Sequence, residues 1–310
     1  MSRSTSDTNI DVASLVEDVD LRRVGQYTLV VLFLGFFLVP LETGIMTALK
    51  TNEAVARSLP FAPPVGEGFT LENLEYAFSQ LTNSFVNSLL MAIPATILNV
   101  LLASMAAYGL TMVNWRGQLA VLSLFLVGVF VPYQAVLVPL ARFWNNLFPL
   151  ARMLEPLFAA APLFQSYHSE LVPLIITHVA YGIPICTILF RSYYKSLPDS
   201  LVEAAKIDGA SITKIYRRIV LPISKPMFAV VFIYQFTQIY NEFLFSFTLI
   251  TGANHPAAPV TLILPAIGAS TSGVDFGIRM SAAFLAALPT IILYVAFAEQ
   301  FAEGLRTESG

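Results

Sequence analysis

One apolar stretch of the sequence carries a dense group of hydrogen-bonding side chains. Tyr234, Gln238, Asn241 and Glu242 follow one another within it. Carboxylate, amide and phenolic groups together can bind the hydroxyls of a polar solute. Polar groups in such a stretch normally face a cavity or a partner helix. The pattern therefore predicts either a path for a polar solute or hydrogen bonds between helices, and both interpretations stay open.

A second candidate pair lies in an earlier apolar stretch. Tyr133 and Gln134 directly follow Pro132, and Pro139 comes shortly afterwards. Proline frees a backbone carbonyl and allows a helix to bend. Because bent or broken helices often line the paths of transported solutes, Tyr133 and Gln134 are candidates for substrate contact. A purely structural kink is the alternative.

The third feature is a short polar insert between two apolar runs, residues 196–222. Ser196 and Asp199 have the spacing of a capping box. Gly209 can adopt the left-handed conformation that ends a helix, and Ser211 can cap a second helix. The pattern predicts two brief helices joined by a turn whose small side chains can enter a cleft in another protein.

The polar insert resembles the EAA loop of ABC importer permeases, E-A-A-x(3)-G-x(9)-I-x-L-P. The matching residues are Glu203, Ala204, Ala205, Gly209, Ile219, Leu221 and Pro222. The likeness runs from about residue 69 to residue 305 and is closest for the carbohydrate-uptake permeases of the maltose type. It implies that the insert is a coupling helix that docks on an ATPase. The residues implied in this coupling are Glu203, Ala204, Ala205, Asp208, Gly209, Ala210, Leu221 and Pro222.

The same resemblance implies the other members of the assembly. They are a second, homologous permease, two ABC ATPase subunits and an extracellular or periplasmic sugar-binding protein. ATP and Mg²⁺ are then used by the ATPase subunits, and this chain binds no cofactor. Residues 128–134 look like those of a subgroup that handles glucose or mannose, which are therefore the expected substrates.

The sequence lacks the residue patterns of an enzyme. No Gly-Lys dipeptide is present, so the phosphate-binding loop G-x-x-x-x-G-K-[ST] is excluded. The single cysteine, Cys186, cannot form a disulfide within the chain. The histidines, His168, His178 and His255, have no metal-ligand spacing. We predict a transport subunit with no catalytic residues and no metal site.

Composition indicates a membrane protein, because 56% of the residues are hydrophobic and only 12% are charged. A helix that crosses a bilayer needs about 20 mostly apolar residues. The qualifying segments lie near residues 26–46, 84–108, 118–140, 171–191, 226–250 and 280–301. The prediction is an all-α polytopic protein with six transmembrane helices and both termini on one side.

The segments outside these spans give three further expectations. Residues 1–24 are a polar tail before a membrane domain of residues 25–310. The amphipathic stretch Leu71–Leu81 is predicted to lie along the membrane surface opposite the polar insert. Residues 141–170 are rich in aromatic residues and proline, which favours an interfacial or re-entrant segment.

The distribution of basic residues predicts the orientation. Cytoplasmic loops are enriched in Lys and Arg, and of the 17 basic residues only five lie on the side opposite the termini. Those five are Lys50, Arg57, Arg142, Arg152 and Arg279. The termini and the polar insert are therefore predicted to be cytoplasmic in a multi-pass protein of the cell membrane. The basic residues are dispersed along membrane edges, so no nucleic-acid partner is expected.

Two other functional classes compete with an importer subunit. A secondary active transporter of a small polar solute would work alone with an ion gradient, and would usually show inverted repeats or more ionisable groups within its spans. An intramembrane enzyme would need a catalytic cluster. Neither class explains the polar insert, and capture of a cytoplasmic ATPase by the purified chain would separate the three.

Overall fold

The structure, a computed structural model, describes residues 21–270 and 273–299. In these ranges the chain is mostly helical, which confirms the predicted all-α polytopic class. The α-helices are α1 (Leu21–Ala48), α2 (Asn52–Arg57), α3 (Glu72–Gly109), α4 (Gln118–Val129), α5 (Tyr133–Arg142), α6 (Leu150–Ala160), α7 (Leu171–Ser196), α8 (Asp199–Ile207), α9 (Ile212–Ile215), α10 (Leu221–Ile223), α11 (Lys225–Tyr240), α12 (Leu244–Leu249), α13 (Val260–Ile263) and α14 (Phe276–Ala296). Most of the predicted tail 1–24, and the end of the family likeness at 301–305, lie outside the described residues.

Short helical turns of other types and one small hairpin complete the described chain. Tight 3₁₀ turns occupy Gly66–Gly68, Ser166–Glu170 and Leu264–Ala266, and wider π turns occupy Phe143–Leu147 and Tyr216–Val220. The strands β1 (Ala269–Ser270) and β2 (Gly273–Val274) pair antiparallel. The hairpin precedes α14 and lies, by the order of the helices, on the side opposite the polar insert.

Four helical segments among the described residues are long and apolar enough to cross a membrane. They are α1, α3, α7 with the turn before it, and α14. Two bent pairs raise the number to six if each pair forms one span: α4 with α5, bent by 97°, and the helical run 212–223 with α11, bent by 76°. The predicted span near 118–140 is thus not a single straight helix, and the 76° bend falls just before the predicted span near 226–250.

Helix α3 is the centre of the bundle and packs against α7, α11 and α14. Its 38 residues span about 57 Å, which is longer than the hydrocarbon core of a bilayer. The first turns of α3 contain most of Leu71–Leu81, and Ala77 and Leu81 in them are fully buried. The prediction of a separate surface segment there is wrong, because these residues pack against α14 and extend α3.

The breaks in the predicted third and fifth spans have local causes. Pro132 caps α5 with an extended backbone and has no N–H to continue a helical ladder from α4. Helix α11 ends at Tyr240, and the carboxylate of Glu242 accepts the Phe245 N–H at 3.0 Å to begin α12. A carboxylate that caps the next helix stabilises a new start, so the fifth span ends ten residues before its predicted end at 250.

The contact of α7 with α3 and α11 is tightest at Gly182. A Cβ atom at this position would lie 2.6 Å from Nδ2 of Asn99 and closer still to Nε2 of Gln235. Both amide side chains are buried, so neither can swing into solvent. The glycine therefore allows polar side chains of α3 and α11 to meet against the backbone of α7.

We expect Gly182→Ala to destabilise the protein by about 1–3 kcal/mol, because the added methyl group overpacks a buried contact. Thermal unfolding of the purified protein in detergent measures the effect. The matched control is Gly35→Ala, where a Cβ meets nothing within 4 Å. Equal melting temperatures for the two variants would contradict the packing described for Gly182.

Candidate functional site

The polar insert forms the two short helices that the sequence predicts. Helix α8 is followed by Gly209 at φ 72°, a left-handed conformation that favours glycine. The hydroxyl of Ser211 accepts the Lys214 N–H at 3.4 Å and caps α9. The roles of Gly209 as helix end and Ser211 as cap are confirmed.

The predicted capping box is wrong. Ser196 is still the last residue of α7, where its hydroxyl donates to the Tyr193 carbonyl at 2.8 Å. Pro198 stands at the cap position of α8 and offers no side-chain hydrogen bond. Because α7 continues to Ser196, the Ser196 hydroxyl bonds within α7 and does not cap α8.

The inner face of the insert packs on the ends of the membrane helices. Val202, Ala205 and Ile215 are buried in one apolar cluster with Phe190 of α7 and Val100 of α3. Ala205, which the resemblance groups with Ala204 at a partner surface, is therefore part of this chain's own core. Its methyl group is small enough to let α8 approach the bundle closely.

Three tyrosine hydroxyls tie the run 212–223 to α3 and α7, and a fourth joins α3 to α7. Ser104 of α3 bonds the hydroxyls of Tyr194 at 2.6 Å and Tyr216 at 2.8 Å. Tyr108 of α3 donates to the Ile212 carbonyl at 3.0 Å. Tyr193 of α7 donates in the same way to the Ile223 carbonyl at 3.1 Å. The hydrogen bonds therefore attach both ends of the run 212–223 to two membrane helices.

The outer face of the insert is free of packing within the described chain. Ile207 at the end of α8 is 86% exposed. The other exposed candidates are Glu203, Ala204, Asp208, Gly209 and Pro222, and Ala210 and Leu221 are half-buried. Ile207 was not among the predicted residues, although an isoleucine two positions before the glycine of a polar turn is a signal for contact with a partner.

The candidates for substrate contact gather around two adjoining cavities. Tyr133 and Tyr234 line both cavities. Gln134 lines the larger one, of about 350 Å³, and Gln238 and Glu242 line the smaller one, of about 30 Å³. Asn241 lines neither: it is exposed, and its amide donates to the Thr237 carbonyl at 2.9 Å. Tertiary packing thus brings five of the six candidates together.

Aromatic rings form one wall of these cavities. The ring centroid of Tyr133 lies 4.6 Å from that of Tyr181 and 5.1 Å from that of Phe245. The Tyr181 hydroxyl donates to the Val131 carbonyl, which the break at Pro132 leaves without a helical partner. The wall therefore joins the two broken spans, because Tyr133 starts α5 and Phe245 belongs to α12.

Glu242 combines a structural bond with a place in the smaller cavity. Both carboxylate oxygens lie 3.0 Å from the Phe245 nitrogen, and the Glu242 carbonyl accepts the Thr261 hydroxyl at 2.9 Å. The side chain is nevertheless a lining residue of the cavity. Glu242 thus fits both interpretations of this polar region, a path for a polar solute and structural hydrogen bonding.

His178 is a member of this site that the sequence analysis missed. Its Nε2 atom lies 3.9 Å from Oε2 of Glu242, and the imidazole lines the same cavity. Asn99 of α3 donates to the His178 carbonyl at 3.1 Å and supports this turn of α7. No local signal could reveal the pairing, because the two residues lie on different helices and are 64 positions apart.

Comparison with known protein families adds an independent result. A family model described as "Binding-protein-dependent transport system inner membrane component" matches residues 99–307. The chain is also 81% identical over 309 residues to the xylose/arabinose import permease protein of Haloferax volcanii, with 100% of both chains covered. The matched residues include the polar insert and all six candidates for substrate contact.

Solved structures share the fold. One chain of a bacterial ABC transporter involved in the import of the acidic polysaccharide alginate has a TM-score of 0.70 at 15% identity, and covers 97% of this chain and 100% of its own. A second, from a bacterial alginate ABC transporter in complex with an alginate pentasaccharide-bound periplasmic protein, has a TM-score of 0.62 at 16% identity, with 89% and 92% covered. At such low identity the likeness concerns the fold.

Proposed function

This chain belongs to the family of binding-protein-dependent transport system inner membrane components, and we propose from that premise that it forms half of a sugar translocation path. It is a permease subunit of an ABC sugar importer and not an enzyme. Membership of this family excludes the alternative that the chain is a secondary active transporter. The proposal concerns how the chain couples to its ATPases, which sugar it carries and how it is oriented.

The observation that carries the coupling role is the attachment of the polar insert. Its inner face is bonded to α3 and α7, while Ile207 and Glu203 on its outer face are exposed. A docked ATPase subunit that moves this face therefore moves both membrane helices. ATP and Mg²⁺ belong to the two ATPase subunits in this scheme, and this chain binds neither.

The path itself is the groove beside Tyr133, Gln134 and Tyr234, together with the smaller cavity at Gln238 and Glu242. Aromatic faces and hydrogen-bonding groups suit the apolar ring face and the hydroxyls of a sugar. The groove is open on one side, as expected if a second, homologous permease completes it. Asn241 directly follows α11 and is exposed outside both cavities, and it stays a candidate for contact with a sugar that approaches the groove.

A monosaccharide is the proposed substrate, and a pentose is favoured over glucose or mannose. The local likeness of residues 128–134 points to glucose or mannose. The relative that is 81% identical over its whole length is by name a xylose/arabinose permease. The whole-length identity is the stronger indicator of the substrate, because residues 128–134 supply only part of the cavity lining.

The remaining partners and the orientation follow from the same premise. One structural neighbour forms a complex with an alginate pentasaccharide-bound periplasmic protein, and we expect an extracellular or periplasmic sugar-binding protein to deliver the sugar here. The protein lies in the cell membrane as a multi-pass chain with lipid around α1 and α14. Both termini and the insert face the cytoplasm, where the ATPase subunits are located.

We expect Ile207→Asp to lower sugar-stimulated ATP hydrolysis about tenfold or more, because an unpaired carboxylate would be desolvated in the ATPase contact. The measurement uses the purified importer with its binding protein in lipid vesicles. Val65→Asp is the matched control, since Val65 is 78% exposed on the opposite side. Full stimulation with Ile207→Asp would contradict the docking role.

The orientation is tested with single cysteines in a Cys186→Ala background, which removes the one native thiol. Ala204→Cys and Ser58→Cys both place the thiol on exposed positions. A maleimide that cannot cross membranes should label Ser58→Cys in intact cells, and Ala204→Cys only after the cells are opened. Labelling of Ala204→Cys in intact cells would place the insert outside and exclude the scheme.

Uptake by the reconstituted importer tests the substrate. We expect labelled xylose and arabinose to be transported at least about tenfold faster than glucose and mannose at equal concentration, because a binding site can discriminate against one added carbon group by roughly this factor. Vesicles without ATP serve as the control. Faster uptake of a hexose would favour the glucose or mannose assignment.

A further inference from the structure

His178 and Glu242 face each other across the smaller cavity. His178 is 4% exposed and Glu242 is 9% exposed, so both polar groups are removed from bulk water and lipid. The distance from Nε2 of His178 to Oε2 of Glu242 is 3.9 Å, which is too long for a direct hydrogen bond. The packing of α7 against the segment between α11 and α12 sets this distance.

The imidazole nitrogen has hydrogen-bonding capacity that the described residues do not use. Nε2 of His178 has no hydrogen-bond partner among them. The carboxylate of Glu242 accepts the Phe245 N–H, and the Leu244 and Ser246 N–H groups also interact with it. Two carboxylate oxygens can accept about four hydrogen bonds, so one acceptor position is still available. A buried polar atom left in this state costs free energy, which a ligand group can recover.

The geometry selects the kind of group that fits. An oxygen atom can lie about 2.8 Å from both Nε2 and Oε2, since twice this length exceeds their separation. Such an atom must donate a hydrogen bond to the carboxylate and form another with the imidazole. A hydroxyl does both, because it has one O–H donor and two acceptor lone pairs.

The sizes of the two cavities fix how a sugar would lie. The small cavity, of about 30 Å³, has room for one oxygen atom but not for a sugar ring. The adjoining groove, of about 350 Å³, shares Tyr133, Tyr181 and Tyr234 with it. One hydroxyl can therefore enter the small cavity while the ring rests against the aromatic wall.

We propose that His178 and Glu242 together bind one hydroxyl of the transported monosaccharide and select for its presence. This inference rests on the proposed function and adds to it a specificity-determining residue, His178. The Asn99 bond to the His178 carbonyl and the Phe245 ring, 5.5 Å from the imidazole centroid, fix the position of the imidazole. Gln235 also lines the small cavity, and its side-chain oxygen accepts a hydrogen bond from the Cys186 thiol at 3.3 Å.

The test is a cycle of protein and sugar variants. Transport of xylose and of its 2-, 3- and 4-deoxy analogues is measured for the complete importer with wild-type chain and with His178→Phe. The same binding protein delivers each sugar to both, so its own preference cancels in the comparison. We expect the wild type to transport one analogue at least about tenfold less well than xylose, since a site that bonds a hydroxyl rejects a ligand lacking it.

His178→Phe should bring the ratio of xylose transport to transport of the discriminated analogue close to one. It should do so by lowering transport of xylose and leaving transport of the analogue unchanged. A structural defect would instead lower all four sugars in proportion, and that outcome would overturn the inference. The matched control is His255→Phe, whose imidazole lies 3.4 Å from Glu170 outside this cavity and should keep the wild-type ratio.

A second variant covers the case in which His178→Phe does not assemble. Glu242→Gln retains an oxygen that can accept the Phe245 N–H but loses the charge, and should weaken discrimination of the same hydroxyl. Discrimination unchanged by Glu242→Gln would overturn the inference. If the wild type transports xylose without rejecting any analogue, only this inference fails; if it transports none of the sugars, the proposed function fails with it.

Discussion

The attachment of the polar insert to the membrane helices by tyrosine hydroxyls is the interaction on which the rest of the structure depends. Helix α8 has nine residues and α9 only four, and helices of this length are not stable by themselves in water. They persist because Val202, Ala205 and Ile215 are buried on the bundle. Hydrogen bonds from α3 also hold the segment, from Ser104 to Tyr216 and from Tyr108 to the Ile212 carbonyl. A segment held in this way cannot move without its supporting helices.

The same helices carry the groove at their other end. Helix α7 contains His178 near its start and Tyr194 near its end, a separation of about 24 Å along the axis. Helix α11 likewise begins beside the insert and ends at the break before Glu242. A displacement of the insert therefore reaches the residues proposed to contact the sugar through continuous helices, with no need for a separate pathway of side chains.

The groove lies where two spans are interrupted. Irregular backbone within a membrane is tolerated only where it is buried in protein or lines a cavity. The breaks after Val129 and after Tyr240 meet this condition because Tyr133 and Phe245 contact each other across them. The Tyr181 hydroxyl and the Glu242 carboxylate satisfy backbone groups freed by the breaks. The interruptions thus bring hydrogen-bonding groups to the proposed sugar path without leaving these backbone groups exposed to lipid.

The sequence alone determined what depends on neighbouring residues. Hydropathy gave the membrane class, and the local rules for glycine and serine placed the helix end at Gly209 and the cap at Ser211. The spacing of the EAA pattern led to the family. Tertiary structure decided what depends on distant contacts. Its contributions are the extension of α3 through most of Leu71–Leu81, the burial of Ala205 and the approach of His178 to Glu242. The physical reason is that caps and periodicity act within one or two helical turns, whereas burial and pairing depend on which helices pack together.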